Sequence, residues 1–124
     1  MLNTSFSSWP SFDNDEVNAV KNVLLSNKVN YWTGEECQKF ENEFSIWAHS
    51  KYSIALSNGT VALDLALRAL DIGIGDEVIV TSRTFIASVS SIVNAGATPV
   101  FVDVDKNSQN ICPSLILPAI TKNT

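Results

Sequence analysis

The sequence predicts an α/β chain with a largely parallel sheet, and three observations carry that prediction. Short apolar runs at Ser53–Leu56, Glu77–Thr81 and Thr98–Val104 alternate with longer stretches whose apolar residues recur at helical spacing. The first two runs pass straight into polar turns, Ser57-Asn58-Gly59-Thr60 and Ser82-Arg83-Thr84, and each turn opens a helical stretch. Strands that alternate with helices in this way form right-handed crossover units rather than hairpins.

Taken in order, Asp13 followed three residues later by Glu16 resembles a capping box, and Val17, Val20 and Leu24 then recur on one face, so the first helix is expected over Asp13–Ser26. Asn27–Gly34 reads as a loop whose aromatic pair, Tyr31 and Trp32, is expected to pack. A second helix is expected over Glu35–Ala48, with Cys37, Phe40, Phe44 and Trp47 as a core stripe. His49, the only histidine, closes that helix, and with no second ligand or nucleophile nearby it builds neither a triad nor a zinc site. The stretch Gly59–Leu70 is apolar nearly all round and is expected to be buried on several sides. Asp71–Asp76 supplies the glycines that end it, and Glu77–Thr81 reads as a buried strand. Phe85, Val89, Ile92 and Val93 mark a further helix that stops at Gly96, before the strand Thr98–Val104. Asp105–Asn110 is a solvated turn, and Pro113 opens a last short helix that Pro118 should cut or kink.

Composition narrows the function. The chain has 124 residues, 45% hydrophobic and only 17% charged, below the roughly 25% charged typical of soluble domains. More of the surface is therefore expected to be covered than a free monomer covers. A net charge of −5 with eight scattered Lys and Arg residues excludes a nucleic-acid groove and a polybasic membrane face. Met1–Asn14 lacks the basic start and apolar run of a signal peptide, and no run reaches membrane-spanning length, so a cytoplasmic protein is expected. In that setting Asn3-Thr4-Ser5 and Asn58-Gly59-Thr60 carry no force as glycosylation sequons, and Cys37 and Cys112 are expected as buried thiols.

Chemistry is expected beyond the carboxyl ends of the strands, where parallel sheets collect ligands. The Ser57–Thr60 turn offers helix N-terminal N–H groups, a glycine and two hydroxyls, a set that suits a phosphate dianion. Ser, Asn and Thr are equally ordinary helix caps, so the turn alone leaves both readings open. Phe85 places a ring on the same edge, either to stack on a flat cofactor or to anchor its helix. Neither turn matches a GxGxxG or Walker A loop. Asp103 and Asp105 could form a metal or general-base pair, although Asp before Lys-Asn-Ser is more often a turn residue.

Together these pieces resemble the DegT-type family of sugar aminotransferases, pyridoxal-phosphate enzymes of fold type I. The matching residues are Tyr31-Trp32-Thr33-Gly34 with Phe40-Glu41; Ala55-Leu56-Ser57-Asn58-Gly59-Thr60-Val61-Ala62-Leu63; Gly75-Asp76-Glu77-Val78-Ile79-Val80; Ser82-Arg83-Thr84-Phe85-Ile86-Ala87; and Gly96-Ala97-Thr98-Pro99-Val100-Phe101-Val102-Asp103-Val104-Asp105. Where the family has proline after the Thr-Gly pair and before the Ser-x-Thr turn, this chain has Glu35 and Thr81. The resemblance implies a helix-and-loop segment over residues 1–34, then the N-terminal, incomplete part of the large cofactor domain, a three-layer αβα fold, over 35–124. It implies that Asn58, Gly59 and Thr60 bind the phosphate of pyridoxal 5'-phosphate and that Phe85 stacks on its ring. It also implies that the Schiff-base lysine and the aspartate facing the ring nitrogen lie beyond Thr124, so no catalytic residue is assigned within this chain. The implied substrates are a nucleotide-linked keto sugar and an amino-acid donor, with glutamate expected, in amino-sugar or polysaccharide biosynthesis and in a homodimer. A sugar dehydratase of the same family and a non-catalytic phosphate-binding α/β module are the alternatives.

Overall fold

The computed structural model describes residues 8–124. The Asn3-Thr4-Ser5 sequon and the first half of Met1–Asn14 lie outside these. The chain divides into two compact units, Met1–Ala55 and Leu56–Thr124.

The first unit is two helices and a loop. Helix α1 (Asn14–Ser26) begins on the expected capping box: Asp13 accepts from the Asp15 and Glu16 N–H groups, and the Glu16 carboxylate accepts the Asp13 N–H at 2.6 Å. It ends on Asn27 in the left-handed region, φ 57°. In the loop the Asn30 carboxamide oxygen accepts from the N–H groups of Trp32 and Thr33, both at 3.0 Å. Gly34 is required there, because a Cβ would stand 2.5 Å from the Lys28 carbonyl oxygen. Helix α2 (Glu36–Trp47) follows, its Lys39 paired with Glu35 at 3.4 Å and Glu36 at 3.1 Å. Glu35 is the residue before the helix and makes no side-chain cap.

Glu41 ties this unit together. Its carboxylate accepts the Tyr31 hydroxyl at 3.0 Å and the Ala55 N–H at 2.8 Å, joining loop, helix and the segment that follows. The aromatic pair departs from expectation. Tyr31 is anchored to Glu41, whereas Trp32 is 91% exposed and meets only the edge of Tyr31, centroid to centroid 6.1 Å, among the described aromatic contacts. The stripe expected as core is also open. Phe40, Phe44 and Trp47 stack on one another at 5.7 and 5.3 Å but stay exposed, as does Cys37, because no described element of this unit covers that face.

The second unit carries the sheet. Ser53–Leu56, expected as the first strand, is not one: these residues pair with no described strand, and a strand without a neighbour leaves its N–H and C=O groups unmatched. Helix α3 (Gly59–Ala69) closes at Asp71, φ 57°. Strand β1 (Glu77–Thr81), helix α4 (Ala87–Asn94) and strand β2 (Thr98–Val102) form one β-α-β unit, with the strands parallel in the register Glu77↔Thr98 to Thr81↔Val102. The strand expected over Thr98–Val104 overran by two residues, since β2 ends at Val102 and Val104 leaves the ladder for an antiparallel bridge to Ile111. Helix α5 (Pro113–Ala119) starts on its proline and ends one residue after Pro118, which lacks the N–H to continue.

The core is small. Ala87, Ser91 and Ile92 of α4 are buried, as are Ala97 and Val102, because α4 packs on both strands. Helix α3 has no buried residue, against expectation: it packs on α4, and its other faces have no covering element among the described residues. For the same reason β1 is half-buried throughout, and Cys112 is half-buried rather than inside.

Candidate functional site

The site is built by two helix starts at one end of the second unit. Helix α3 packs along α4, and their C-terminal loops touch: a Cβ on Gly73 would lie 3.4 Å from the Ala95 carbonyl oxygen, and one on Gly96 3.0 Å from Ile74 Cγ1. Helices packed side by side with their ends together run in the same direction. Their first turns therefore share the opposite end, and Thr81 leads from the carboxyl end of β1 into that end through Ser82–Phe85. The two turns singled out in the sequence are thus on one edge. Glu77, at the other end of β1, is bound instead by the chain terminus, where its N–H donates to Asn123 O at 2.8 Å and its carboxylate accepts from Thr121.

At the first turn, Asn58 is the N-cap of α3. Its Oδ1 accepts the Val61 N–H at 3.0 Å, its Nδ2 donates to Ser57 Oγ at 3.3 Å, and its carbonyl accepts the Ala62 N–H. The N–H groups of Gly59 and Thr60 have no partner among the described hydrogen bonds. They are the orphan donors that every helix start carries, at the positive end of its dipole. Gly59 faces open space, since a Cβ there would have no atom within 4 Å. Asn58 thus caps the helix, while the Gly59 and Thr60 N–H groups keep no partner among the described hydrogen bonds.

At the second turn, α4 starts without a side-chain cap. The Phe85 carbonyl accepts the Ser88 N–H at 3.0 Å, and Thr84 Oγ1 and Ser88 Oγ share a hydrogen bond at 2.9 Å. The Phe85 ring is 73% exposed, so it does not anchor α4 to the sheet.

The Asp103 and Asp105 pair is structural. Asp103 Oδ1 accepts the adjacent Val104 N–H at 2.7 Å, and Asp105 Oδ1 accepts from Ser108 N–H at 2.7 Å and Asn107 N–H at 3.1 Å. Those bonds, Ser108 first, hold the Asp105 carboxyl below its ordinary range, the reverse of what a base at neutral pH needs. No metal-type group of His, Cys, Asp or Glu occurs among the described residues. Sequence reasoning passed over the free Gly59 and Thr60 N–H groups as distinct from the Asn58 cap. The signal was the Asn-x-x spacing that aims the Asn58 side chain at Val61.

The fold is that of the N-terminal part of a pyridoxal-phosphate-dependent aminotransferase. The aminotransferase from Psychrobacter cryohalolentis superposes with a TM-score of 0.90 at 65% identity, covering 97% of this chain and 30% of that one. Spr1654 of Streptococcus pneumoniae, solved in a PLP-form, superposes at 0.80 with 35% identity over 93% of this chain and 29% of that one. The chain belongs to the DegT/DnrJ/EryC1/StrS aminotransferase family, whose model matches residues 10–124. GDP-perosamine synthase of Escherichia coli O157:H7 is 46% identical over 119 residues, 93% of this chain and 31% of that protein. The chain therefore spans about a third of the length of the relatives it matches. Pyridoxal phosphate is the cofactor of the family. No described helix is long and apolar enough to cross a membrane.

Proposed function

We propose that this chain provides the phosphate- and ring-binding part of a pyridoxal-phosphate-dependent aminotransferase that acts on a nucleotide-linked keto sugar, with glutamate as amino donor, as a cytoplasmic homodimer. One observation carries the reading: the unpaired Gly59 and Thr60 N–H groups and the exposed Phe85 ring belong to two helix starts at the same end of the unit. A phosphate-bearing aromatic cofactor fits that pair. When bound, it supplies an electron sink for proton removal next to nitrogen.

In this reading Gly59 and Thr60 N–H donate to the phosphate, helped by the Thr60 hydroxyl and the helix dipole, which contributes about 0.3–2 kcal/mol. Asn58 shapes the turn by holding Val61 N–H and Ser57 Oγ. Phe85 lies against the ring and keeps water off one face. The residue that moves protons is assigned outside residues 1–124, because none of the six lysines of this chain is placed at the two turns by its sequence position. Residues 1–34 form the leading segment, and 35–124 form the first part of the cofactor domain.

The test is binding without covalent attachment. Pyridoxal phosphate titrated into the full chain is expected to bind in competition with inorganic phosphate. Borohydride reduction followed by mass mapping is expected to leave all six lysines unmodified. A specific adduct on one of them, Lys106 included, would overturn the assignment of the lysine elsewhere. Failure of phosphate to compete would overturn the turn as the seat.

A further inference from the structure

We propose that Thr84 and Ser88 are positioning residues that fix Phe85 in the direction in which its ring lies against the cofactor, an inference that rests on the function proposed above. Threonine is a preferred helix cap, yet the Thr84 hydroxyl makes no cap: α4 starts without one, and Thr84 Oγ1 instead shares a hydrogen bond with Ser88 Oγ at 2.9 Å. Ser88 departs from the usual pattern in the same way. A helical serine commonly turns its hydroxyl back to the carbonyl four residues earlier, here that of Thr84, whereas Ser88 meets the Thr84 hydroxyl. The Ser88 N–H in turn donates to the Phe85 carbonyl at 3.0 Å. Phe85 is thus held on both sides by one residue, through the side chain before it and through its own carbonyl.

The ring itself has little to rest on. It is largely exposed and takes part in none of the aromatic pairs found among the described residues. The direction of such a side chain is set by its backbone, because φ and ψ decide which staggered χ1 positions are open. The brace also ends on a rigid support: Ala87 and Ser91 of the same helix are buried, and α4 packs on both strands. A hydroxyl–hydroxyl bond open to water adds little to the fold, so its consequence falls on the residue it encloses. A ring directed before the ligand arrives need not be ordered by it, and that difference is gained as affinity.

The test is a double-mutant cycle on the full 124-residue chain, read by titration calorimetry with pyridoxal phosphate and separately with inorganic phosphate. Thr84→Val and Ser88→Ala each remove the hydroxyl bond, and because alanine is the better helix former, Ser88→Ala leaves α4 intact. Each is expected to weaken pyridoxal phosphate binding by about 2- to 12-fold, the range of one hydrogen bond and of one stacked ring. Each should leave inorganic phosphate unchanged and have no further effect once Phe85→Ala is present. Thr84→Ser, which keeps the hydroxyl, should bind as the wild type does. A loss that persists in the Phe85→Ala background, or an equal loss for inorganic phosphate, would overturn the inference, since the hydroxyls would then act on the helix and not on the ring. Wild-type affinity in Thr84→Val and Ser88→Ala, with Phe85→Ala weakened, would overturn it while the reading of the site stands. Unchanged affinity in Phe85→Ala would overturn the ring site itself and this inference with it.

Discussion

Two turns in this chain gather backbone N–H groups around a polar side chain, and they differ in what is left over. At Asp105 the carboxylate takes both nearby donors, Asn107 and Ser108, for itself, and the turn is complete. At Asn58 the side chain takes only Val61, and Gly59 and Thr60 keep their N–H groups. The first turn is negative and closed; the second is neutral, at a positive helix end, and open. The proposed anion seat is in this sense a turn that its own residues have not finished, and four predictions bear on that contrast.

The largest effect is expected from making the open turn resemble the closed one. Gly59→Asp puts a carboxylate where phosphate would sit, while an acidic residue in the first turn favours the helix. A Cβ at Gly59 meets nothing, so the backbone need not move. Like charges brought together cost several kcal/mol, so affinity for pyridoxal phosphate should fall by about 100-fold or more, measured by titration calorimetry, with helical circular dichroism unchanged. Unchanged affinity would place the phosphate elsewhere.

A smaller loss is expected at the neighbouring ring. Phe85→Ala removes a 73% exposed side chain that supports no other described ring, so stability should hardly change. A stacking contact contributes about 0.5–1.5 kcal/mol, which predicts a 2- to 12-fold weaker affinity for pyridoxal phosphate and none for inorganic phosphate. Equal weakening of both ligands would show that Phe85 shapes the turn rather than the ring site. Asn58→Ala should act on the helix instead: losing the cap costs about 1 kcal/mol of stability by urea denaturation, with binding affected only to the extent that the freed turn loses its shape.

What the sequence made legible follows from how local each signal is. The capping box at Asp13, the Gly96 stop and the strand Glu77–Thr81 are set by neighbours in the chain, and the structure has them where the sequence placed them, while the strand expected over Thr98–Val104 starts in place and stops at Val102. The burial of α3 and of the Phe40–Phe44–Trp47 stripe, and the pairing of the Ser53–Leu56 run as a strand, were misjudged because each needs a second surface. The residues are patterned for contact, but the described chain supplies the covering element for only one face of α3 and for none of the stripe. At the candidate site, the turn–helix positions of Gly59, Thr60 and Phe85 were readable, whereas the hydrogen bonds that separate Asn58 from its neighbours were not. That division depends on which of two N–H groups one side-chain oxygen reaches.

The smallest effect belongs to the closed turn, and its sign is fixed. The Ser108 and Asn107 bonds hold the Asp105 carboxyl below its ordinary value of 3.8. A group whose folded-state value is depressed stabilises the fold above its unfolded value and loses that contribution as pH falls through the folded one. The turn should therefore be intact at pH 5 and above and loosen only below about pH 4, the ordinary carboxylate range. Because Asp13 behaves the same way at the α1 cap, overall acid unfolding would mix the two, and the probe must be local: the amide shifts of Asn107 and Ser108. In the wild type these should titrate below pH 4; in Asp105→Asn they should be flat, while pyridoxal phosphate affinity at neutral pH stays that of the wild type. A drop in affinity would mean that the Asp105 turn, for all its internal bonds, also reaches the ligand, and the contrast between a finished and an unfinished turn would no longer separate structure from site.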